Sequence, residues 1–73
     1  GKKSGNITAL MPGKVIQIIV KEGQKIKVGD PLIVIESMKM ENTISSEVNG
    51  TIKSINIQID DNVQFDQVIF TVI

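Results

Sequence analysis

The sequence predicts an all-β fold: a flattened β-barrel or sandwich of two four-stranded halves with internal pseudo-two-fold symmetry. Three observations predict it. The apolar residues are mostly Ile and Val, with two Phe and no Trp or Tyr, and β-branched residues favour strands. Their runs are short and end at Gly, Pro, Asn or Asp. No segment has the spacing of three and four residues that an amphipathic helix requires.

The clearest predicted strands are four apolar runs, each followed by polar or turn residues. They cover residues 15–20, 32–35, 55–59 and 68–73. Pro12 and Pro31 stand at strand entries, where the missing backbone N–H disturbs a sheet least.

The second half of the chain repeats the pattern of the first. A shift of 37 positions carries Gly13 onto Gly50 without a gap, and such self-similarity indicates an internal structural repeat. Two halves of about four strands each are expected to close their apolar faces on one another. The matched apolar pairs are Ile7 and Ile44, Val15 and Ile52, Ile18 and Ile55, Val20 and Ile57, Ile26 and Val63, Val28 and Phe65, Leu32 and Ile69, Ile33 and Phe70, and Ile35 and Val72.

Domain boundaries follow from the same pattern. Residues 1–6 are polar and predict a flexible tail or linker remnant, and residues 7–73 predict one domain. Gly13 and Gly50 precede a strand in each half, where a bend or a close strand crossing suits Gly. We interpret both as architectural.

Composition excludes several function classes. A chain of 73 residues is too short to enclose a deep catalytic pocket. It has no His and no Cys, so we expect no catalytic residue and no metal site. Eight basic and eight acidic residues cancel, which argues against nucleic acid as a partner. No apolar run is long enough to insert into a membrane, and the lack of Cys is compatible with the cytoplasm, the location we expect.

The seam between the halves is the one place where chemistry is expected. A tight hairpin turn must lie near Met38, Lys39 and Met40, yet none of these is Gly, Asn, Asp or Pro. A two-residue hairpin loop favours those residues because it needs positive φ. A local rule broken without structural benefit indicates a functional site.

Three interpretations of Met38-Lys39-Met40 remain open from the residues alone. In the first, Lys39 faces solvent and both Met side chains fold onto the sheet. In the second, the two Met residues form an adaptable apolar patch that binds a partner. Alternatively, Lys39 is modified by an enzyme that recognises the Met residues.

The stretch 36–42, Glu-Ser-Met-Lys-Met-Glu-Asn, resembles the biotin attachment motif of biotin carboxyl carrier domains, in the biotin/lipoyl attachment family. The resemblance covers about residues 7–73. Ser37 stands where Ala is more usual, and no insertion separates the halves, so the chain resembles the type without a thumb loop. Further matches are Met11-Pro12-Gly13, Glu22-Gly23, Gly29-Asp30 and Asn49-Gly50.

The resemblance implies a non-catalytic carrier with biotin covalently attached to Lys39, and Met38 and Met40 serving recognition. Biotin protein ligase would attach the cofactor. The carrier would then move a carboxyl group, as carboxybiotin, between the biotin carboxylase and carboxyltransferase sites of a biotin-dependent carboxylase, decarboxylase or transcarboxylase. The chemistry belongs to the cofactor, while the protein presents it.

Two alternatives share the expected fold. A lipoyl carrier domain would usually carry Asp before the Lys and a small residue after it, whereas Met38 and Met40 flank Lys39 here. An unmodified barrel-sandwich adaptor would have no reason to keep Met-Lys-Met at the seam. The parent enzyme, its acceptor substrate and the oligomeric state do not follow from the sequence.

Overall fold

A computed structural model describes residues 5–73 and confirms the predicted fold class. The described part contains eight β-strands and no helix, and hence no helix that could cross a membrane. The strands are β1 (Gly5–Thr8), β2 (Gly13–Ile18), β3 (Lys25–Ile26), β4 (Pro31–Ser37), β5 (Met40–Ser45), β6 (Gly50–Ile55), β7 (Asn62–Val63) and β8 (Val68–Val72).

The strands form two four-stranded antiparallel sheets, in the orders β1-β8-β6-β3 and β5-β4-β2-β7. Each sheet therefore takes two strands from each half of the repeat. The periodicity of apolar residues identifies strands but does not specify which strands pair. The exchange of strands between the halves therefore could not be predicted from the sequence pattern. Both sheets turn their apolar faces inward.

The core lies between the sheets and is built from the residues that match in the repeat. Phe70, Leu32, Ile33, Ile35 and Ile69 are fully buried. The strand β4 carries four consecutive buried residues, as expected for an interior strand. Other members of the cluster include Val15, Ile26, Ile44, Ile52, Val63 and Val72.

The backbone follows the repeat closely. Gly23 N donates to Ile52 O at 2.7 Å, and at the matching positions Asp60 N donates to Val15 O at 2.7 Å. The irregularity in β2 after Val15 recurs in β6 after Ile52. The equivalence of the two halves thus extends to individual backbone hydrogen bonds.

The strand β1 begins at Gly5 and pairs with β8, so the first strand starts inside the segment 1–6 predicted as a tail. Gly5 and Asn6 are paired residues of a sheet. Residues 1–4 lie outside the described residues, and the boundary at residue 7 stays a prediction.

The molecule measures 33 × 19 × 18 Å and has two distinct ends. The hairpin end carries the β4–β5 connection, residues 9–12 and the turns 58–61 and 64–67, because Lys14 pairs with both Glu36 and Asn62. The far end carries Gly5, Ile73 and the turns 21–24 and 27–30. The chain leaves the hairpin end along β2 and reaches the far end at the turn 21–24.

Candidate functional site

Met38 and Lys39 form the two-residue turn that joins β4 to β5. Ser37 pairs with Met40 just below it. The φ angles of Met38 and Lys39 are 53° and 66°, and positive φ at both central residues is the mark of a type I′ hairpin turn. The predicted position of the hairpin is confirmed.

This backbone is unfavourable for the residues that occupy it. A left-handed conformation costs an L-residue with a Cβ about 1–2 kcal/mol, and neither Met nor Lys has the short polar side chain that offsets the cost in Asn or Asp. The other described residues with φ in this region are Gly and Asp alone. Among residues 5–73 no hydrogen bond or ion pair of these two side chains offsets that cost, which favours a role for them outside the fold.

The three side chains at the turn are exposed to solvent. The exposed fraction is 92% for Met38 and 66% for Met40, and Lys39 is also exposed. Two thioether side chains in water are an unusual use of apolar residues. The interpretation in which both Met side chains fold onto the sheet is wrong for Met38, which covers no part of the core.

The base of the hairpin is packed tightly. Val15 on β2 pairs with Ile35 on β4, and both are fully buried. Gly13 lies so close to β4 that a Cβ there would stand 2.5 Å from Glu36 O. This close approach explains the Gly and agrees with its predicted architectural role. The turn therefore projects from a rigid support.

Asn42 contributes a contact that the sequence did not reveal. Its Nδ2 donates to Met40 O at 3.2 Å, which occupies a carbonyl beside the turn. The signal available in the sequence was an Asn two residues after Met40, since Asn side chains commonly bond nearby backbone.

Two carboxylates lie across from each other below the turn. Glu36 and Glu41 are paired on β4 and β5, and like charges directly opposite are destabilising. On its other side Glu36 pairs with Lys14, whose Nζ lies 3.8 Å from Asp60 Oδ1. The turn that carries Lys39 is therefore supported by a strand pair that bears two carboxylates, Glu36 and Glu41.

Exposure alone does not single out Lys39, because every described lysine is exposed. Position does. Lys39 is the one lysine within residues 5–73 that has positive φ, and no hydrogen bond or ion pair among these residues engages its amine. Its side chain can therefore extend away from both sheets.

The β4–β5 hairpin extends into solvent and does not line a cavity. One surface cleft, with a volume of about 520 Å³, lies at the far end, around Lys25, Gly50 and Ile73. Another, of about 100 Å³, adjoins Ile7 and Val48. Neither is lined by the turn, so the geometry suits presentation of a side chain to another protein and not enclosure of a substrate.

Comparison with known families gives one match that spans the domain. A family model described as "Biotin-requiring enzyme" matches residues 4–72.

Curated relatives include mitochondrial pyruvate carboxylase of Mus musculus, 41% identical over 68 residues, which are 93% of this chain and 6% of that protein. The biotin carboxyl carrier protein of acetyl-CoA carboxylase from Solanum lycopersicum is 35% identical over 60 residues, 82% of this chain and 86% of that protein. Its counterpart from Pseudomonas aeruginosa is 48% identical over 54 residues, 74% of this chain and 35% of that protein.

Among solved structures, Kluyveromyces lactis urea carboxylase superposes with a TM-score of 0.88 at 19% identity, covering 100% of this chain and 6% of that one. At this identity the match shows the fold. The chain thus spans a small part of the pyruvate carboxylases and of urea carboxylase.

Proposed function

Because the chain belongs to the family of biotin-requiring enzymes, we propose that Lys39 is the residue that carries its biotin. The chain is a biotin carrier domain, and biotin is its covalently attached cofactor. The observation that carries the assignment is the position of Lys39 at the apex of an exposed turn whose backbone is unfavourable for it.

The residues present fit the cofactor. Attachment through the biotin carboxyl group needs a primary amine that a second protein can surround. The Lys39 amine meets that need, because both neighbouring side chains are exposed and no described group engages it. A lysine within a strand, such as Lys25 or Lys53, would require the ligase to accommodate the sheet as well.

In the attachment step the neutral Lys39 amine attacks the acyl carbon of biotinyl-adenylate on a biotin protein ligase. An amide bond forms, the bond from the acyl carbon to the phosphate oxygen breaks, AMP leaves and the amine proton passes to solvent. Met38 and Met40 supply the apolar surface by which the ligase recognises the turn, since flexible thioethers adapt to a partner surface.

Once loaded, the domain serves as a carrier between a biotin carboxylase site and a carboxyltransferase site. Attached biotin supplies a ureido nitrogen that accepts and releases the carboxyl group. The protein contributes position: tethering replaces free diffusion by an effective concentration of the order of mM. The domain itself is not catalytic. Cytoplasmic location stays a prediction, and some relatives are mitochondrial proteins.

The direct test is labelling with biotin ligase, biotin and ATP, followed by intact mass and peptide mapping. We expect one biotinyl group, located on Lys39. Lys39→Arg keeps the charge and removes the acceptor, so labelling should vanish, while the matched Lys25→Arg should label at the wild-type rate. A label on Lys14, Lys21 or Lys53 would refute the assignment.

The same assay tests the two Met residues. Met38→Asp with Met40→Ala places a charge where an apolar ligase surface is expected, and its desolvation is unfavourable. Biotinylation should fall sharply with an unchanged unfolding curve. A wild-type labelling rate would show that the Met pair is not recognised, and lipoylation of the wild-type domain by a lipoate ligase in place of biotinylation would favour the lipoyl alternative.

A further inference from the structure

Side chains that react readily with peroxide are few in this chain. It contains three Met and no Cys, Trp, Tyr or His. The thioether of Met is oxidised to a sulfoxide, and the thiol of Cys would otherwise compete for the same oxidant. Peroxide chemistry at side chains is therefore confined to Met11, Met38 and Met40.

The three Met residues differ in their access to solvent. Met38 is 92% exposed and Met40 is 66% exposed, whereas Met11 is partly buried. Susceptibility to oxidation follows exposure, because the sulfur has to meet the oxidant directly. We therefore expect Met38 to react first, Met40 next and Met11 last.

The two most exposed sulfurs belong to the two neighbours of Lys39. Met38 shares the hairpin turn with Lys39, and both have positive φ. Met40 is the first residue of β5 and pairs with Ser37 just below the turn. An oxidant that reaches this turn therefore changes the side chains on both sides of the lysine and leaves the lysine itself in place.

Oxidation of Met38 and Met40 is expected to leave the fold intact. The core cluster of the described residues contains neither of them. The contact that Met40 makes with Asn42 uses the main-chain carbonyl of Met40, which accepts from Asn42 Nδ2 at 3.2 Å, and the sulfoxide forms at the other end of the side chain. The modification thus alters the surface of the turn and spares its support.

We propose that Met38 and Met40 are a modification site for hydrogen peroxide, and that their oxidation blocks the attachment of biotin to Lys39. In each step a lone pair of the thioether sulfur attacks one oxygen of hydrogen peroxide. An S–O bond forms, the O–O bond breaks, and the second oxygen leaves as water after proton transfer. The sulfur is oxidised and the peroxide is reduced. This peroxide switch rests on the proposed function, since the loading of Lys39 is what it controls.

The sulfoxide reverses the character of the surface that the ligase meets. A Met side chain is apolar and flexible and adapts to a partner, whereas its sulfoxide is polar and chiral. The sulfoxide oxygen accepts hydrogen bonds, and its burial against an apolar ligase surface without a donor is unfavourable. Reductases specific for the two sulfoxide epimers restore Met, and the exposed turn is open to them, so the block is reversible.

The experiment oxidises the whole unbiotinylated chain with hydrogen peroxide, removes the peroxide with catalase, and then adds biotin ligase, biotin and ATP. Peptide mapping should find sulfoxide on Met38 and Met40 before Met11. The kcat/KM for labelling of Lys39 should fall about tenfold, with an unchanged circular dichroism spectrum and unfolding curve. Treatment with both methionine sulfoxide reductases should restore the rate of the untreated chain.

Matched Leu variants locate the effect. Met38→Leu with Met40→Leu keeps apolar side chains of similar volume that peroxide does not oxidise, so its labelling rate should be the same before and after peroxide. Met11→Leu leaves the turn unchanged and should lose labelling after peroxide as the wild-type chain does. Each variant is compared with its own untreated sample, so a change in the basal rate does not enter the comparison.

The untreated sample separates failure of the peroxide switch from failure of the proposed function. No biotin on Lys39 of the untreated chain would contradict the function itself. Normal labelling of the untreated chain, with an unchanged rate once Met38 and Met40 are oxidised, would overturn the switch alone. An equal loss of labelling in the double Leu variant, or a loss that accompanies unfolding, would show general damage and overturn it too.

Discussion

The turn at Met38 and Lys39 and the four repeated turns of the domain use the same backbone conformation differently. The repeated turns place positive φ at Gly23, Gly29 and, in the second half, at Asp60 and Asp66. Gly adopts this conformation without a steric cost, and Asp tolerates it because its side chain bonds locally. The hairpin turn has neither residue.

Side chains in the repeated turns also serve the backbone. Gln24 Oε1 accepts from Lys21 N at 3.1 Å, and the matching Asp61 Oδ2 accepts from Gln58 N at 2.8 Å. The side chains of Met38 and Lys39 form no such bond among the described residues. The repeated turns, which only reverse the chain direction, therefore use residues suited to positive φ. The hairpin turn, whose side chains project into solvent, does not.

The distinction between the hairpin turn and the repeated turns would be wrong if the side chains of the hairpin turn stabilised the fold. We expect Ile35→Ala, four residues from Lys39, to lower the free energy of unfolding by about 2–5 kcal/mol, as truncations of core residues do. Ile35 is fully buried. Lys39→Ala should change the same quantity by less than about 0.5 kcal/mol. Urea unfolding of both variants decides, and the reverse order of effects would refute our assignment of inside and outside.

Replacing the turn sharpens the comparison. Met38→Asn with Lys39→Gly gives the residues that a type I′ turn favours, and should raise the free energy of unfolding by roughly 1–3 kcal/mol as backbone strain is relieved. The control, Met38→Ala with Lys39→Ala, removes the same side chains but keeps the unfavourable φ. Equal stabilities of the two variants in urea would mean that the turn is not strained.

The smallest expected effect concerns a repeated turn. Gly29 has φ of +94° and open space where a Cβ would stand, so Gly29→Ala should cost about 1 kcal/mol from conformation alone. At the matching position Asp66→Gly should give a smaller gain. Thermal unfolding measures both, and an unchanged melting temperature for Gly29→Ala would remove the distinction between the turns.

Much of this structure was predictable from the sequence because it depends on local pattern. Short β-branched runs indicated the strands, and the shift of 37 positions that carries Gly13 onto Gly50 indicated the repeat. The strained turn was predictable too, since a tight hairpin at Met38 and Lys39 had no residue suited to positive φ. In each case the controlling residues are close together in the chain.

Features that depend on the meeting of distant segments were not predictable. The pairing of β1 with β8 includes Gly5 and Asn6, two residues that the polar composition of the first residues assigned to a tail. The exchange of strands between the two sheets is likewise a property of segments that are distant in the chain.

The exchange of strands between the halves has a consequence for synthesis of the chain on the ribosome. The strand β8 pairs with β1 on one side and β6 on the other, and it carries Phe70 and Ile69 into the core. Until β8 has emerged, one sheet lacks one of its two interior strands, and β1 has no strand to pair with. Closing β1 on β8 also joins distant parts of the chain, which slows folding. The lysine-bearing hairpin is therefore translated well before it has a rigid support, and a ligase that requires the folded turn has to act after the whole domain is made.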